Sequence, residues 1–238
     1  MSEVKTKTKP DAPHYTGHRK RLRERFLKTA GKGNSSSIAD YELLEIILFA
    51  SKPRGDVKPL AKKLIQHFGD LGKVISAPVP ELARIDGVGD SAIAAIKAVQ
   101  EASFYLLKNE VKKVPILESW KSLLDYCNAT MSHNKTEQFR VFFLDKKNKL
   151  IADELQQEGT VDHTPVYPRE VIKRAIELGS SSIILAHNHP SGDPNPSKAD
   201  IEMTKLIMQG AAGVGILIHD HIIIGKNRHY SFAANGLL

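Results

Sequence analysis

A chain of 238 residues that is 41% hydrophobic and 26% charged is long enough for one large hydrophobic core or two small ones, and this balance excludes bulk disorder, collagen and coiled coil. No run approaches the roughly 18 apolar residues of a membrane span, and the polar, basic start lacks the apolar stretch of a secretory signal, so a cytoplasmic protein with no membrane partner is expected. The formal net charge of +7 is uneven: residues 1–32 hold ten Lys and Arg against three Asp and Glu, and the remainder holds 24 of each.

Residues 1–16 show no apolar periodicity and read as a disordered basic arm. Such a segment attracts polyanions through counterion release, nucleic acid among them, or is simply a solvated tail. Arg19 to Lys28 reads as a helix with Leu22 and Phe26 four apart and Arg19, Arg21 and Arg23 on the rest of its surface. Gly31 to Ser37 follows as a loop. Ser37 and Asp40 have capping-box spacing ahead of Tyr41, Leu44 and Leu48, which predicts a second helix. Asp56 caps a third, whose apolar face runs from Val57 to Phe68 and which stops at Gly69. Glu81 to Ile85 and Ser91 to Leu107 are helical, separated by Asp86-Gly87-Val88-Gly89-Asp90.

A Lys-rich hinge at Val111 to Pro115 then marks a seam, dividing a helical domain over 17–110 from a domain over 115–238. The second opens with a helix around Ser119 to Thr130. Gln138 to Leu144 and Leu150 to Gln156 form a hairpin, and Pro168 to Leu178 a helix with Pro at its start and Gly179 past its end. Ser181 to Ala186 is an apolar strand, Lys198 to Gln209 a helix, and Val214 to Ile218 and Ile222 to Ile224 two further strands. The second half is α/β or α+β, a mixed sheet flanked by helices.

Two constellations carry chemistry. In the first half, Leu82, Ile85, Gly87, Val88, Gly89, Ala92 and Ile96 have the spacing of a helix-hairpin-helix element. Its glycines allow a turn that offers backbone N–H groups to a phosphate without reading sequence. The same turn can also serve only to pack two helices, with Asp86 and Asp90 repelling phosphate. Gly87, Val88, Gly89, Arg19, Arg21 and Arg23 are the candidate contacts to DNA.

In the second half, His187-Asn188-His189-Pro190 follows an apolar strand, and Ser197 and Asp200 open the next helix. Residues two apart on a strand point to one side, so His187 and His189 can aim at one ion while Asn188 faces away. Asp200, three residues beyond the Ser197 N-cap, lies on the first turn where it can face the same ion. Two imidazoles and one carboxylate make a three-ligand zinc site with a fourth position open, the catalytic arrangement. With one cysteine, Cys127, a closed structural zinc site is hard to build, as is any intrachain disulfide, which fits a reducing compartment. Each feature alone has a plainer reading, a capping box for Ser197 and Asp200 included. His219, Asp220 and His221 form another close cluster, either a second metal site or support for the first. The letters His-Asn-His do not fit an HNH nuclease, whose residues are spread over a longer unit.

His-x-His-Pro, six residues, then Ser-x-x-Asp resembles the JAMM signature of MPN-type metalloproteases and isopeptidases, matched here without a gap. Gly17-His18-Arg19, Ile85 to Gly89, Gly159-Thr160, Val166 to Glu170, His187 to Asp200 and Asp220 to Gly225 together resemble RadC proteins over nearly the whole chain. The resemblance implies an N-terminal all-α helix-hairpin-helix domain followed by a JAMM/MPN domain similar to the cytidine-deaminase fold. It implies one zinc ion on His187, His189 and Asp200, amide hydrolysis on a protein or peptide substrate, and Glu137 as the base at the start of an earlier strand. Glu154, Glu158 and Glu170 compete for that role. Ser197 would hold the developing oxyanion. The alternative it leaves is a DNA-binding, repair-associated protein whose metal domain is a binding platform.

Overall fold

The computed structural model describes residues 17–32, 38–159, 166–226 and 228–238, apart from the side chain of Glu158. The basic arm, most of the Gly31–Ser37 loop and Thr160 lie outside these residues. By internal packing the chain divides into two units, Met1–Gln100 and Glu101–Leu238.

The first unit is helical: α1 (His18–Thr29), α2 (Asp40–Ser51), α3 (Lys58–Phe68), α4 (Leu71–Ser76), α5 (Val79–Ala83) and the start of α6 (Asp90–Lys113). Leu44, Leu48, Ala61, Leu64, Val74, Leu82, Ala92 and Ile96 form its core. Leu44, Leu48, Ala61 and Leu64 are on the periodic faces expected for α2 and α3, Leu82, Ala92 and Ile96 belong to the helix-hairpin-helix spacing, and Val74 comes from the unexpected α4. Leu22 buries the apolar side of α1, and polar contacts fix the rest of that helix. His18 Nε2 meets the fully buried Glu45 carboxylate at 2.7 Å. Arg19 donates to the carbonyls of Lys52 and Gly55 at 2.5 and 2.8 Å and stacks over Phe49. Arg25 pairs with Glu42.

Several boundaries differ from expectation. The N-cap of α2 is Ala39, whose N–H donates to Glu42, while Asp40 turns away to accept the N–H of Leu71. Ser37, the expected cap, is outside the described residues. The six-residue α4 was too short to show a period. Helix α6 continues through Lys113, so Val111 to Lys113, expected to be hinge, are its last turn; Val111 is fully buried in the core of the second unit. An apolar residue in a Lys-rich run reads as linker until its packing is known.

The second unit continues with a 3-10 turn (Ile116–Glu118), α7 (Trp120–Met131), β1 (Glu137–Leu144), β2 (Leu150–Gly159), α8 (Pro168–Glu177), β3 (Ser182–Asn188), α9 (Lys198–Ala212), β4 (Leu217–Ile224) and β5 (His229–Ser231). The sheet order is β2-β1-β3-β4-β5, with β3 and β4 parallel and the other pairs antiparallel. Alternation divides its side chains between two faces, with one shift of register in β4 between Ile218 and Asp220 that puts Ile218 on the face opposite Ile222 and Ile224. Phe142, Leu144, Ile184, Ala186, Ile222 and Ile224 pack against α7 and the end of α6. Phe139, Val141, Phe143, Ile183, Leu185 and Ile218 pack against α8 and α9. The sheet is thus covered on both faces, and every residue of β3 is buried.

The two strands expected around Val214–Ile218 and Ile222–Ile224 are one, β4, because the polar run His219-Asp220-His221 is accommodated inside the sheet rather than breaking it. Asp220 accepts from Ser231 and from the N–H groups of His221 and Ala233, which anchors the unexpected β5 and the C-terminal turn. Among the described residues no helix is long and apolar enough to cross a membrane.

Candidate metal centre

Parallel strands β3 and β4 end together, and α9 starts beside them. The chain between His189 and Ser197 is held against the end of β4: His189 N–H donates to Ile224, Lys226 N–H to Gly192, and Gly192 N–H to His189. Two glycines make that close approach feasible. Gly192 has φ +85, and a Cβ on Gly225 would lie 2.5 Å from the Gly192 carbonyl oxygen.

Register then builds the site. Phe139 of β1 pairs with His187 of β3, and paired residues of antiparallel strands project to the same face. Two residues outward along each strand, Glu137 and His189 fall on that face, which is the face α9 covers with Asp200. Asn188 falls on the other face, as expected. His187 Nε2 lies 3.0 Å from His189 Nε2 and 3.3 Å from an Asp200 carboxylate oxygen, while His189 Nε2 is 3.5 Å from the other oxygen. The three residues offer ligand atoms all within 4.8 Å of one another and can hold a metal ion.

The hydrogen bonds behind these atoms determine the imidazole tautomers. Thr204 on α9 donates its only hydroxyl proton to the Asp200 carbonyl at 2.6 Å, so its oxygen accepts from His221 Nδ1–H, also at 2.6 Å. His221 Nε2 is therefore unprotonated and accepts from His187 Nδ1–H at 2.8 Å, leaving the lone pair on His187 Nε2. His189 Nδ1–H donates to the Asp193 carbonyl at 2.7 Å, leaving the lone pair on its Nε2. Two lone pairs 3.0 Å apart beside a carboxylate repel one another unless a cation lies among them. That cation is either a proton on His189 Nε2 or a metal ion, so the donor set fits a metal.

Electrostatics agree with the tautomers. Burial pushes His187 down to about 4 and His221 well below the usual imidazole range, so both are neutral near pH 7. The hydrogen bond to Asp200 raises His189 in spite of burial. Burial pushes Asp200 up, but His189, His187 and Ser197 outweigh it and hold the carboxyl far below its ordinary range.

Ser197 caps α9. Its hydroxyl oxygen accepts Asp200 N–H at 3.1 Å while its own N–H donates to the Asp200 carboxylate at 2.7 Å. The expected capping box is therefore present, and it aims the carboxylate at the histidines. A cavity of about 610 Å³ opens in front, lined by the polar Glu137, His189, Ser197 and Asp200 and by the apolar Val166, Met203 and Leu206. Burial raises the half-buried Glu137, opposed by His189 and reinforced by Asp200. Of its competitors, Glu154 is held by Arg174 through three hydrogen bonds, Glu170 is exposed beside Arg169, and the Glu158 side chain is not described.

The cluster His219-Asp220-His221 is divided by a register irregularity in the β3–β4 pairing, where Ile183 pairs with Ile218 and Ile184 with Asp220, leaving His219 as the extra residue. Only His221 reaches the centre, whereas His219 meets Asn148 and Asp220 the C-terminal turn. Thr204, which sets the whole tautomer chain, carries no motif signal: its place one helical turn after Asp200 becomes informative only once α9 is packed on β4.

The candidate nucleic-acid contacts of the first unit lie otherwise. Gly87 has φ +90, as the turn requires, and its carbonyl accepts from Lys52 Nζ at 2.6 Å, with Lys63 on Asp86. Val88 is buried and Gly89 caps α6 through its carbonyl. The Arg19 guanidinium is engaged by carbonyls, while Arg21 and Arg23 are exposed on α1.

A family model described as a RadC-like JAB domain matches residues 117–237. A UPF0758 protein of Ruegeria pomeroyi is 53% identical over 221 residues, 93% of this chain and 97% of its own length. A UPF0758 protein of Rhodobacter capsulatus is 55% identical over 217 residues, 91% of this chain and all of its own. With the helical region, the mixed sheet and the His-His-Asp group in place, the chain belongs to the RadC family, and its second unit is a RadC-like JAB domain.

Proposed function

We propose that the chain is a cytoplasmic, zinc-dependent hydrolase of the JAMM type that cleaves an amide or isopeptide bond in a protein or peptide substrate. The observation that carries this reading is the pair of imidazole lone pairs 3.0 Å apart beside Asp200, with an open cavity in front of them. Three N and O ligands with space before them are the catalytic rather than the structural zinc arrangement. A zinc ion on His187, His189 and Asp200 would supply Lewis acidity and lower the pKa of water at the site towards about 7.

The remaining steps belong to side chains. Glu137, on the same face and at the cavity wall, accepts the proton of the attacking water and returns it to the leaving amine; its raised pKa suits both transfers. The Ser197 oxygen accepts from Asp200 N–H, so its own hydrogen is free to turn to the oxyanion. His221 and Thr204 hold His187 in the ligating tautomer. In the first unit, the exposed Arg21 and Arg23 on α1 are what supports non-specific nucleic-acid binding as an accompanying role.

The test is cleavage of peptide and isopeptide libraries by the zinc-loaded protein in ¹⁸O-water, read by mass spectrometry. Products carrying ¹⁸O are expected from the native protein, and about 10²–10⁴-fold more slowly from Glu137→Gln. Equal cleavage by Glu137→Gln removes Glu137 as base, and zinc-loaded native protein that cleaves no member of the libraries contradicts the hydrolase reading.

A further inference from the structure

The main-chain pairing of β1 with β3 stops at Phe139 and His187, two residues short of Glu137 and His189. Beyond that point β1 is held on its other side, where Glu137 pairs with Gly159 of β2. The side next to β3 is closed by a side chain. Asn188 lies between the two histidines on the face turned away from them and is only 1% exposed. Its Oδ1 accepts the N–H of Gln138 at 2.8 Å, and its Nδ2 donates to the carbonyl of Thr136 at 3.1 Å. These are the backbone groups immediately before and after Glu137. One carboxamide thus completes the ladder that the strands leave unfinished, using both its acceptor and a donor.

We propose that Asn188 is a positioning residue for Glu137: it clamps the backbone on both sides of that residue and thereby holds the carboxylate over the site that His187 and His189 form on the opposite face of the same strand. Only an amide fits this task. A carboxylate supplies the acceptor for Gln138 but sets an oxygen against the Thr136 carbonyl, and an aliphatic side chain supplies neither partner. The clamp makes one two-residue step of β3 serve both halves of the chemistry, odd positions presenting the ligands and the even position fixing the base. It rests on Glu137 being the base of the proposed hydrolase, so the test reads the placement of Glu137 without turnover.

The full chain is loaded with cobalt(II), which enters N and O sites of this kind, and followed by NMR. In the native protein the Glu137 carboxyl carbon is expected to show a large paramagnetic shift; its absence counts against Glu137 as base, not against the clamp. In Asn188→Ala the cobalt stoichiometry and the His189 imidazole shifts are expected to remain. Exchange of the Gln138 amide should accelerate about tenfold or more, the effect of losing a buried hydrogen bond, and the Glu137 shift should shrink. Asn188→Asp, the variant to read if Asn188→Ala does not fold, should keep Gln138 protected while the Glu137 shift still shrinks. Unchanged Gln138 exchange and Glu137 shift in Asn188→Ala, or an unchanged Glu137 shift in Asn188→Asp, would overturn the proposal. Loss of cobalt from either folded variant would do so as well, by placing the effect of Asn188 on the ligands instead.

Discussion

The glycine turn of the first unit and the histidine pair of the second are both compact, polar and adjacent to helix starts, yet they treat their polar groups in opposite ways. Around the turn, Lys52 closes on the Gly87 carbonyl, Lys63 on Asp86, and Arg19 on the carbonyls of Lys52 and Gly55. The basic groups nearest the turn are spent within the fold. At the histidine pair, Thr204, His221 and Asp193 occupy every imidazole nitrogen except two, and those two face each other and a carboxylate. A fold that satisfies all its polar atoms is holding itself together; one that uses hydrogen bonds to leave particular lone pairs unsatisfied is presenting them to something else.

That contrast is open to attack from both sides. The largest effect belongs to Glu137→Gln, which keeps zinc and should lower the hydrolysis rate about 10²–10⁴-fold, the range of a positioned acid or base; single-turnover kinetics on any cleaved peptide read it. In the first unit, His18→Ala leaves the fully buried Glu45 carboxylate without its partner, and breaking a buried pair costs about 3 kcal/mol or more. Urea unfolding should show this in the first unit with zinc binding unchanged, and an unaltered midpoint would mean that α1 is not held by this contact. Thr204→Val removes the hydroxyl that sets the His221 and His187 tautomers and should weaken zinc affinity about 10–100-fold, the usual cost of losing such support, as measured by chelator competition. Equal affinity would show that His187 keeps its tautomer without the chain.

The smallest effect is one of pH. His189 must be neutral to ligate, and its pKa is raised above 6.5 by Asp200, whereas His187 is already neutral at any pH above about 4. Metal therefore competes with one proton. Apparent affinity should rise by about tenfold per pH unit up to the pKa of His189 and then level. A profile flat from pH 5 to 8 would mean that His189 is not a ligand.

How much of this could be read from the residues alone depends on the range of the interaction. The projection of His187 and His189 to one side follows from the two-residue period of a strand, and the aim of Asp200 from its place in a capping box; both are local. Glu137 is accessible from sequence only through the family resemblance, since its place opposite His189 needs the β1–β3 register. Thr204 and His221 are farther off still, because the packing of α9 on β4 joins them and nothing in their spacing announces it. The fold shows the same division. Long periodic helices such as α3 and α8 are legible, whereas the six-residue α4 and three-residue β5 are set by their neighbours. The polar His219–His221 stretch looks like a break in a strand until the partners that bury it are known.

The most direct test of the account is the zinc content of the purified full chain by elemental analysis, with His187→Ala and Asp200→Ala beside it. One zinc per native chain, absent from both folded variants, is the predicted result. Folded native protein that takes up no zinc when supplied with it, or folded variants that retain it in full, would contradict the assignment of His187, His189 and Asp200 as the metal centre.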